Sequence, residues 1–126
     1  IVLSELRRHL QQLGEMVSSS SHAVGFMVGG MKPADREAAA ANSQILLCTY
    51  AFSSEGLNLP RFDTLVLAPP RSNIEQSVGR ILRTHPTKCT PLVLDFIDNY
   101  SLFVGERWKR FHYFRKTGFR IINLKK

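Results

Sequence analysis

ILLCTYAFSSEGLNLPRFDTLVLA, residues 45–68, begins and ends on unbroken apolar runs, Ile45 to Cys48 and Leu65 to Ala68. A strand with one wet face alternates apolar and polar side chains, so an unbroken run implies cover on both faces. Such cover predicts a central, mostly parallel β-sheet flanked by helices. The alternation continues on either side. Upstream stand Ile1-Val2-Leu3, then Leu6, Leu10 and Leu13 at helical spacing, then Ala23 to Val28, then Pro33 to Ala41. Downstream stand a helix carrying QSVGRILR, residues 76–83, and the run Pro91 to Ile97. The order is β-α-β-α, and the fold class expected is α/β.

Local punctuation agrees with that order. Pro33 suits a first helical position after the Gly29-Gly30 turn, and Asp35 and Glu37 complement the helix dipole. Ser72-Asn73-Ile74-Glu75 reads as a capping box, which starts the next helix at Asn73. Ser18 to Ser21 is a polar loop rather than a linker. With 126 residues, 44% of them hydrophobic, one globular domain, 1–126, is expected.

No apolar run nears the roughly 18 residues needed to cross a bilayer, so no membrane partner is expected. The start, Ile1-Val2-Leu3-Ser4, has neither an initiator Met nor a signal-peptide pattern, which reads as a piece of something longer, and the sparse cysteines suit a reducing, intracellular setting. Two cysteines, Cys48 in an apolar run and Cys89 in a polar stretch, give no disulfide framework. His9, His22, His85 and His112 are scattered without ligand spacing, so no metal site is expected.

The net charge of +7 is unevenly placed. Residues 1–60 hold four Lys/Arg against five Asp/Glu, and residues 61–126 hold thirteen against five. A one-sided positive field favours polyanionic partners, because each phosphate neutralised releases condensed counterions. Charge that only serves solubility is the plain alternative.

In the helix carrying residues 76–83, Ile74, Val78, Ile81 and Leu82 recur at helical spacing and share one side, a single apolar stripe. Gln76, Gly79, Arg80 and Arg83 fall together on the opposite face. Two arginines alone would read as a solvated face. Gly79 alters that reading, since glycine in an exposed helix interior costs about 1 kcal/mol relative to alanine and is kept where a backbone or ligand comes close. A bare spot flanked by two guanidiniums and an amide suits a phosphate, whose oxygens match the arginine fork. In the loop after Cys48, Thr49, Ser53, Ser54, Gly56 and Asn58 offer hydroxyls and backbone amides at the carboxyl end of a strand, where ligands of parallel sheets gather. A polar turn stopped by Pro60 fits that segment equally well.

Together these segments resemble a known family. The apolar strand, Thr49, Glu55-Gly56-Leu57-Asn58-Leu59-Pro60, the strand Leu65 to Ala68, and Gln76-x-x-Gly79-Arg80-x-x-Arg83 are similar, in that order, to the fifth and sixth motifs of superfamily two helicases and DNA translocases. Ile1 to Leu13 and VGGMKPADRE, residues 28–37, resemble the first strand-helix pair and following turn of the same module. RWKRFHYFRKTGF, residues 107–119, is similar to helicase-like proteins of large DNA viruses.

The resemblance implies a RecA-like domain, the second of two, supplying the C-terminal half of an ATP-dependent motor that acts on DNA or RNA. It implies that ATP and Mg²⁺ are held mainly by an N-terminal RecA-like domain, the partner absent from this chain, so the piece alone should bind no cofactor and hydrolyse nothing. It implies that Arg80 and Arg83 are arginine fingers with Gln76 beside them. Gly56 and Asn58 would line the nucleotide side of the cleft, with Gly79 giving close approach. Thr49 would touch the nucleic-acid backbone, and the hydroxyls of Ser53 and Ser54 belong with it. The alternative is a non-catalytic nucleic-acid-binding or protein-interaction module derived from such a domain.

Two features mislead. Gly25-Phe26-Met27-Val28-Gly29-Gly30 has the glycine spacing of a phosphate loop, but Met31 and Lys32 stand where Lys and Ser/Thr should. Asp95, ending Leu92-Val93-Leu94, looks like a magnesium carboxylate, yet without a partner loop Asp95 and Asp98 read as turn and capping residues.

Residues 102–126 carry eight Lys/Arg against Glu106 alone, interleaved with Phe103, Trp108, Phe111, Tyr113, Phe114 and Phe119. At helical spacing Arg107, Arg110 and Phe114 share one face, as do Trp108, Phe111 and Arg115, so no purely apolar stripe forms. The expectation is a helix with its aromatics mostly buried and Arg107, Lys109 and Arg110 near the strand's path, followed by a short strand from Phe119 to Ile122.

Overall fold

β1 (Val2–Ser4), β2 (Val24–Met27), β3 (Ile45–Thr49), β4 (Thr64–Leu67) and β5 (Leu92–Asp95) form one sheet in the order β2-β3-β1-β4-β5, and every pairing is parallel. The helices are α1 (Arg7–Val17), α2 (Pro33–Asn42), α3 (Glu75–Ile81) and α4 (Ser101–Lys116). This computed structural model describes residues 1–51, 61–68, 73–81, 90–97 and 100–124, apart from the side chains of Arg80, Ile81, Ser101 and Leu102.

The faces follow from crossover handedness. After β2 the chain reverses its direction across the sheet, so right-handed crossovers put α1 and the later helices on opposite faces. Contacts agree. A Cβ on Gly14 of α1 would fall 2.4 Å from the Phe26 ring and 3.2 Å from Leu47, whereas one on Gly25 would fall 1.9 Å from Ser43 Oγ, just past α2. Ile74, the residue before α3, Val78 of α3 and Phe114 of α4 join Met27, Leu46, Cys48, Leu65 and Leu67 in the core on the α2 side. Cys48 is a free thiol there, its pKa pushed up to about 12 by burial.

The central strand β3 is covered on both faces, as its unbroken apolar run predicts: Leu46, Leu47 and Cys48 are all buried. β5 departs from that expectation. Val93 packs on the core, but Leu92, Leu94 and Phe96 on the other side are 52%, 36% and 62% exposed, because no described helix covers β4 and β5 on the α1 face.

α2 starts with Pro33 at its first turn, with Asp35 there too. Its last turn has no cation of its own; Arg61 supplies one, donating to Ala40 O and Ser43 O. α3 begins at Glu75 rather than Asn73, and Val78 N donates to Ile74 O at 2.9 Å; the capping box rests on Ser72, outside the described residues.

α4 closes on Gly118, at φ +84°. Gly118 N donates to Arg115 O at 3.2 Å and Phe119 N to Phe114 O at 3.0 Å, with the Phe114 and Phe119 rings 5.2 Å apart. That is a Schellman ending with its apolar contact. The expected strand from Phe119 to Ile122 does not form, and residues 119–124 are irregular. Phe119 spends its amide and its ring on terminating the helix.

Candidate nucleotide and nucleic-acid site

α3 separates its faces as the sequence predicts. Ile74 and Val78 are buried, while Gln76 and Gly79 are exposed. The backbone of Arg80 follows them in the same helix, and Arg83 lies outside the described residues. No described atom lies within 4 Å of a Cβ built on Gly79, so nothing described in this domain requires the glycine. Gly79→Ala is therefore expected to raise folding stability by about 0.5–1 kcal/mol in urea unfolding. A ligand that must approach there predicts the opposite effect on ATP turnover in the full-length protein. A substitution that stabilises the fold and leaves turnover unchanged would assign Gly79 no role.

At the carboxyl end of the sheet, Thr49 ends β3 and is the register partner of Ser4, which ends β1. Both side chains lie on the α1 face, as Leu47 does two residues before Thr49. Thr49 is 9% exposed, leaving only a narrow part of it to a ligand. Ser53, Ser54, Gly56 and Asn58 lie outside the described residues.

Sequence reasoning missed the group beside Thr49. Leu6 N donates to the fully buried Ser4 Oγ at 3.2 Å, and Ser4 Oγ lies 3.0 Å from His9 Nδ1 in the first turn of α1. A histidine five residues past a strand-ending serine, across a strand-to-helix turn, was the available signal.

Of the three cations expected along the strand's path, Arg110 must be withdrawn. Its side chain is fully buried, with Nε donating to Asp95 Oδ2 at 3.0 Å and the second guanidinium nitrogen 3.0 Å from Oδ1. Asp95 is correspondingly neither a turn nor a capping residue; it ends β5 as Arg110's counter-ion, and Asp98 lies outside the described residues. Arg110 shares a helical face with Phe114, which is buried in the core, so an outward position was excluded by packing. Lys109 is exposed and Arg107 half-buried, its guanidinium carbon 5.8 Å from the Trp108 ring centroid. Nor are the aromatics mostly buried: Phe114 is, whereas Trp108 is 53% exposed. Arg107 and Trp108 line a groove of about 840 Å³ along β5, which is three strands away from Thr49 in the sheet order.

Among the described residues no group of three or more His, Cys, Asp or Glu could hold a metal ion, and no helix is long and apolar enough to cross a membrane.

No protein-family model matches the chain. A protein of Acanthamoeba polyphaga mimivirus named "Putative ATP-dependent RNA helicase L396" is 32% identical over 125 residues, 96% of this chain and 24% of that protein. This chain is a homologue of viral helicase-like proteins. An African swine fever virus protein, "Putative ATP-dependent RNA helicase QP509L", is 30% identical over 84 residues, 65% of this chain and 16% of that protein. The helicase homologue thus spans about a quarter or less of these curated relatives. Its fold superposes on the C-terminal domain of the DEAD-box protein Dbp5 with a TM-score of 0.71 at 16% identity, covering 93% of this chain and 68% of that one. The resemblance to helicase-like proteins of large DNA viruses therefore holds at the level of homology, and the fold is RecA-like, that of the DEAD-box domain it superposes on.

Proposed function

We propose that this helicase homologue is the second, C-terminal RecA-like domain of an ATP-dependent nucleic-acid helicase or translocase. The observation that carries the proposal is the exposed face of α3, where Gln76 and a sterically unneeded Gly79 sit opposite the buried Ile74 and Val78, with Arg80 next in the helix. Such a face suits a phosphate chain brought by another lobe, because guanidiniums that arrive only on closure stabilise charge developing on bridging and γ oxygens. ATP and Mg²⁺ would be held mainly by an N-terminal RecA-like domain. The sequence supports that division of labour in one respect: the pattern of a phosphate-cradling loop is incomplete at Met31 and Lys32.

The strand would cross the carboxyl ends of β1 and β3, at Thr49, with Ser53 and Ser54 beyond it; Gly56 and Asn58 would face the nucleotide. Arg107 and Lys109, on α4 beside β5, would add to the positive field of the domain at a distance from that path rather than touch the strand there. The relatives' names make RNA the first strand to try.

ATP hydrolysis by the full-length protein, with single- and double-stranded RNA and DNA as separate additions, tests this. Stimulation by at least one of them supports a motor. Strand binding without any stimulated hydrolysis, in a protein whose upstream sequence lacks a Gly-x-x-x-x-Gly-Lys-Ser/Thr loop, would leave the non-catalytic binding module instead.

A further inference from the structure

We propose that His9, held in position by Ser4, donates a hydrogen bond to a phosphodiester oxygen of the strand that crosses the carboxyl ends of β1 and β3. The inference rests on the strand path proposed above and adds a contact outside the motif-bearing segments.

The place comes from the sheet. Ser4 and Thr49 are register partners on adjacent parallel strands, with side chains on the face that α1 covers, and His9 stands in the first turn of α1. Parallel α/β sheets collect their ligands at this end.

The chemistry comes from the hydrogen bonds. The Leu6 amide occupies one lone pair of Ser4 Oγ at 3.2 Å. The hydroxyl proton then has two acceptors within reach, His9 Nδ1 at 3.0 Å and Leu6 O at 3.5 Å, and the shorter bond goes to the imidazole. Ser4 is fully buried, so water does not compete. With Nδ1 accepting, a neutral imidazole carries its proton on Nε2. When the ring is charged, both nitrogens donate and Ser4 Oγ accepts. In both of these arrangements Nε2 is a donor; the one proposed is the neutral ring with Nδ1 accepting, the shorter of the two bonds open to the hydroxyl.

Nε2 is also available. Ser4 Oγ is the only partner of the His9 ring among the described residues, and the side chain is half-buried, anchored inward by Nδ1. Arg7 and Arg8 precede it in the same turn and are exposed, and α1 has no acidic residue in that turn. A donor fixed before its ligand arrives loses little freedom on binding, and an N–H donor to a charged oxygen is among the stronger hydrogen bonds. The other charged surface features lack this preorganisation.

The test is single-strand affinity by fluorescence anisotropy in the full-length protein, with thermal melting of each variant alongside. His9→Ala is expected to weaken binding about tenfold, and His9→Gln, which keeps an N–H donor, to recover part of the loss. Ser4→Ala should weaken binding less. Once His9 is alanine, removing Ser4 should add nothing, since the serine acts only through the ring. Methylphosphonate substitution, scanned along the oligonucleotide, should reveal one linkage whose neutralisation weakens the unmodified protein but not His9→Ala. If His9→Ala binds as tightly as the unmodified protein while Thr49→Val weakens, His9 has no contact and the strand path stands. If neither weakens, the path itself is wrong. Additive losses from Ser4→Ala and His9→Ala would overturn the positioning role of the serine.

Discussion

Arg80→Ala and Arg83→Ala are each expected to lower nucleic-acid-stimulated ATP hydrolysis in the full-length protein about 10³-fold or more, with strand affinity changed little. In hydrolysis of a γ-phosphate, negative charge moves onto the bridging and γ oxygens, and only interactions stronger in that state than in the bound substrate raise the rate. A guanidinium is always protonated and offers a planar fork of donors, so lysine at either position should restore little of the loss. Neither arginine is assigned to the strand, which is why binding is the control. Turnover at the unmodified rate in both variants would remove the finger role and with it the main support for a motor. Loss of binding in step with turnover would mean that α3 serves the strand instead.

A second large effect is expected on stability. Arg110→Ala should cost about 3–5 kcal/mol in urea unfolding, because it strands a carboxylate whose side chain is only 19% exposed. Arg110→Met, which keeps the bulk, separates lost charge from lost packing and should retain most of that cost. Joining it to Asp95→Leu should recover much of it, as buried ion pairs replaced by apolar groups often do.

The pH dependence follows from the same site. Burial pushes the Asp95 carboxyl above the usual carboxylate range, and the hydrogen bond and charge of Arg110 pull it part of the way back. A carboxyl raised on folding holds its proton more tightly in the folded chain. Its contribution to stability therefore falls as pH rises from the unfolded value through the folded one, and acidification relieves the burial of charge. Without Arg110 the carboxyl rises further. The deficit of Arg110→Ala should accordingly be greatest near neutral pH and shrink toward pH 4. A deficit that grows on acidification would show that the pair does not carry the effect.

The sequence was legible where one simple rule acted alone. Unbroken apolar runs located the five described strands, and for the central β3 the reason holds as stated, since a strand between two helical layers has no wet face to mark. The helical spacing of Ile74, Val78, Gln76 and Gly79 sorted buried from exposed positions on α3, since burial there depends on one stripe against one sheet. Legibility failed where two signals competed. Arg110 reads as a surface cation until Phe114, one turn on, is known to enter the core and Asp95 to lie opposite. The run Leu92 to Leu94 reads like the strand Leu65 to Leu67, and only the chain's path shows that, among the described residues, β5 is an edge strand with a bare side. Ser4 and His9 carry no composition signal at all; their meeting depends on the angle at which α1 leaves β1.

The open side of β5 has a consequence for handling. Among the described residues Leu92, Leu94 and Phe96 make an oily ridge on a strand paired along one side only, and mutual repulsion at a net charge of +7 opposes two molecules sharing it. That repulsion reaches roughly 10 Å at 0.1 M salt and roughly 3 Å at 1 M. Concentrated brine, which usually loosens a basic protein from its polyanion, should thus be the condition under which these 126 residues begin to clump.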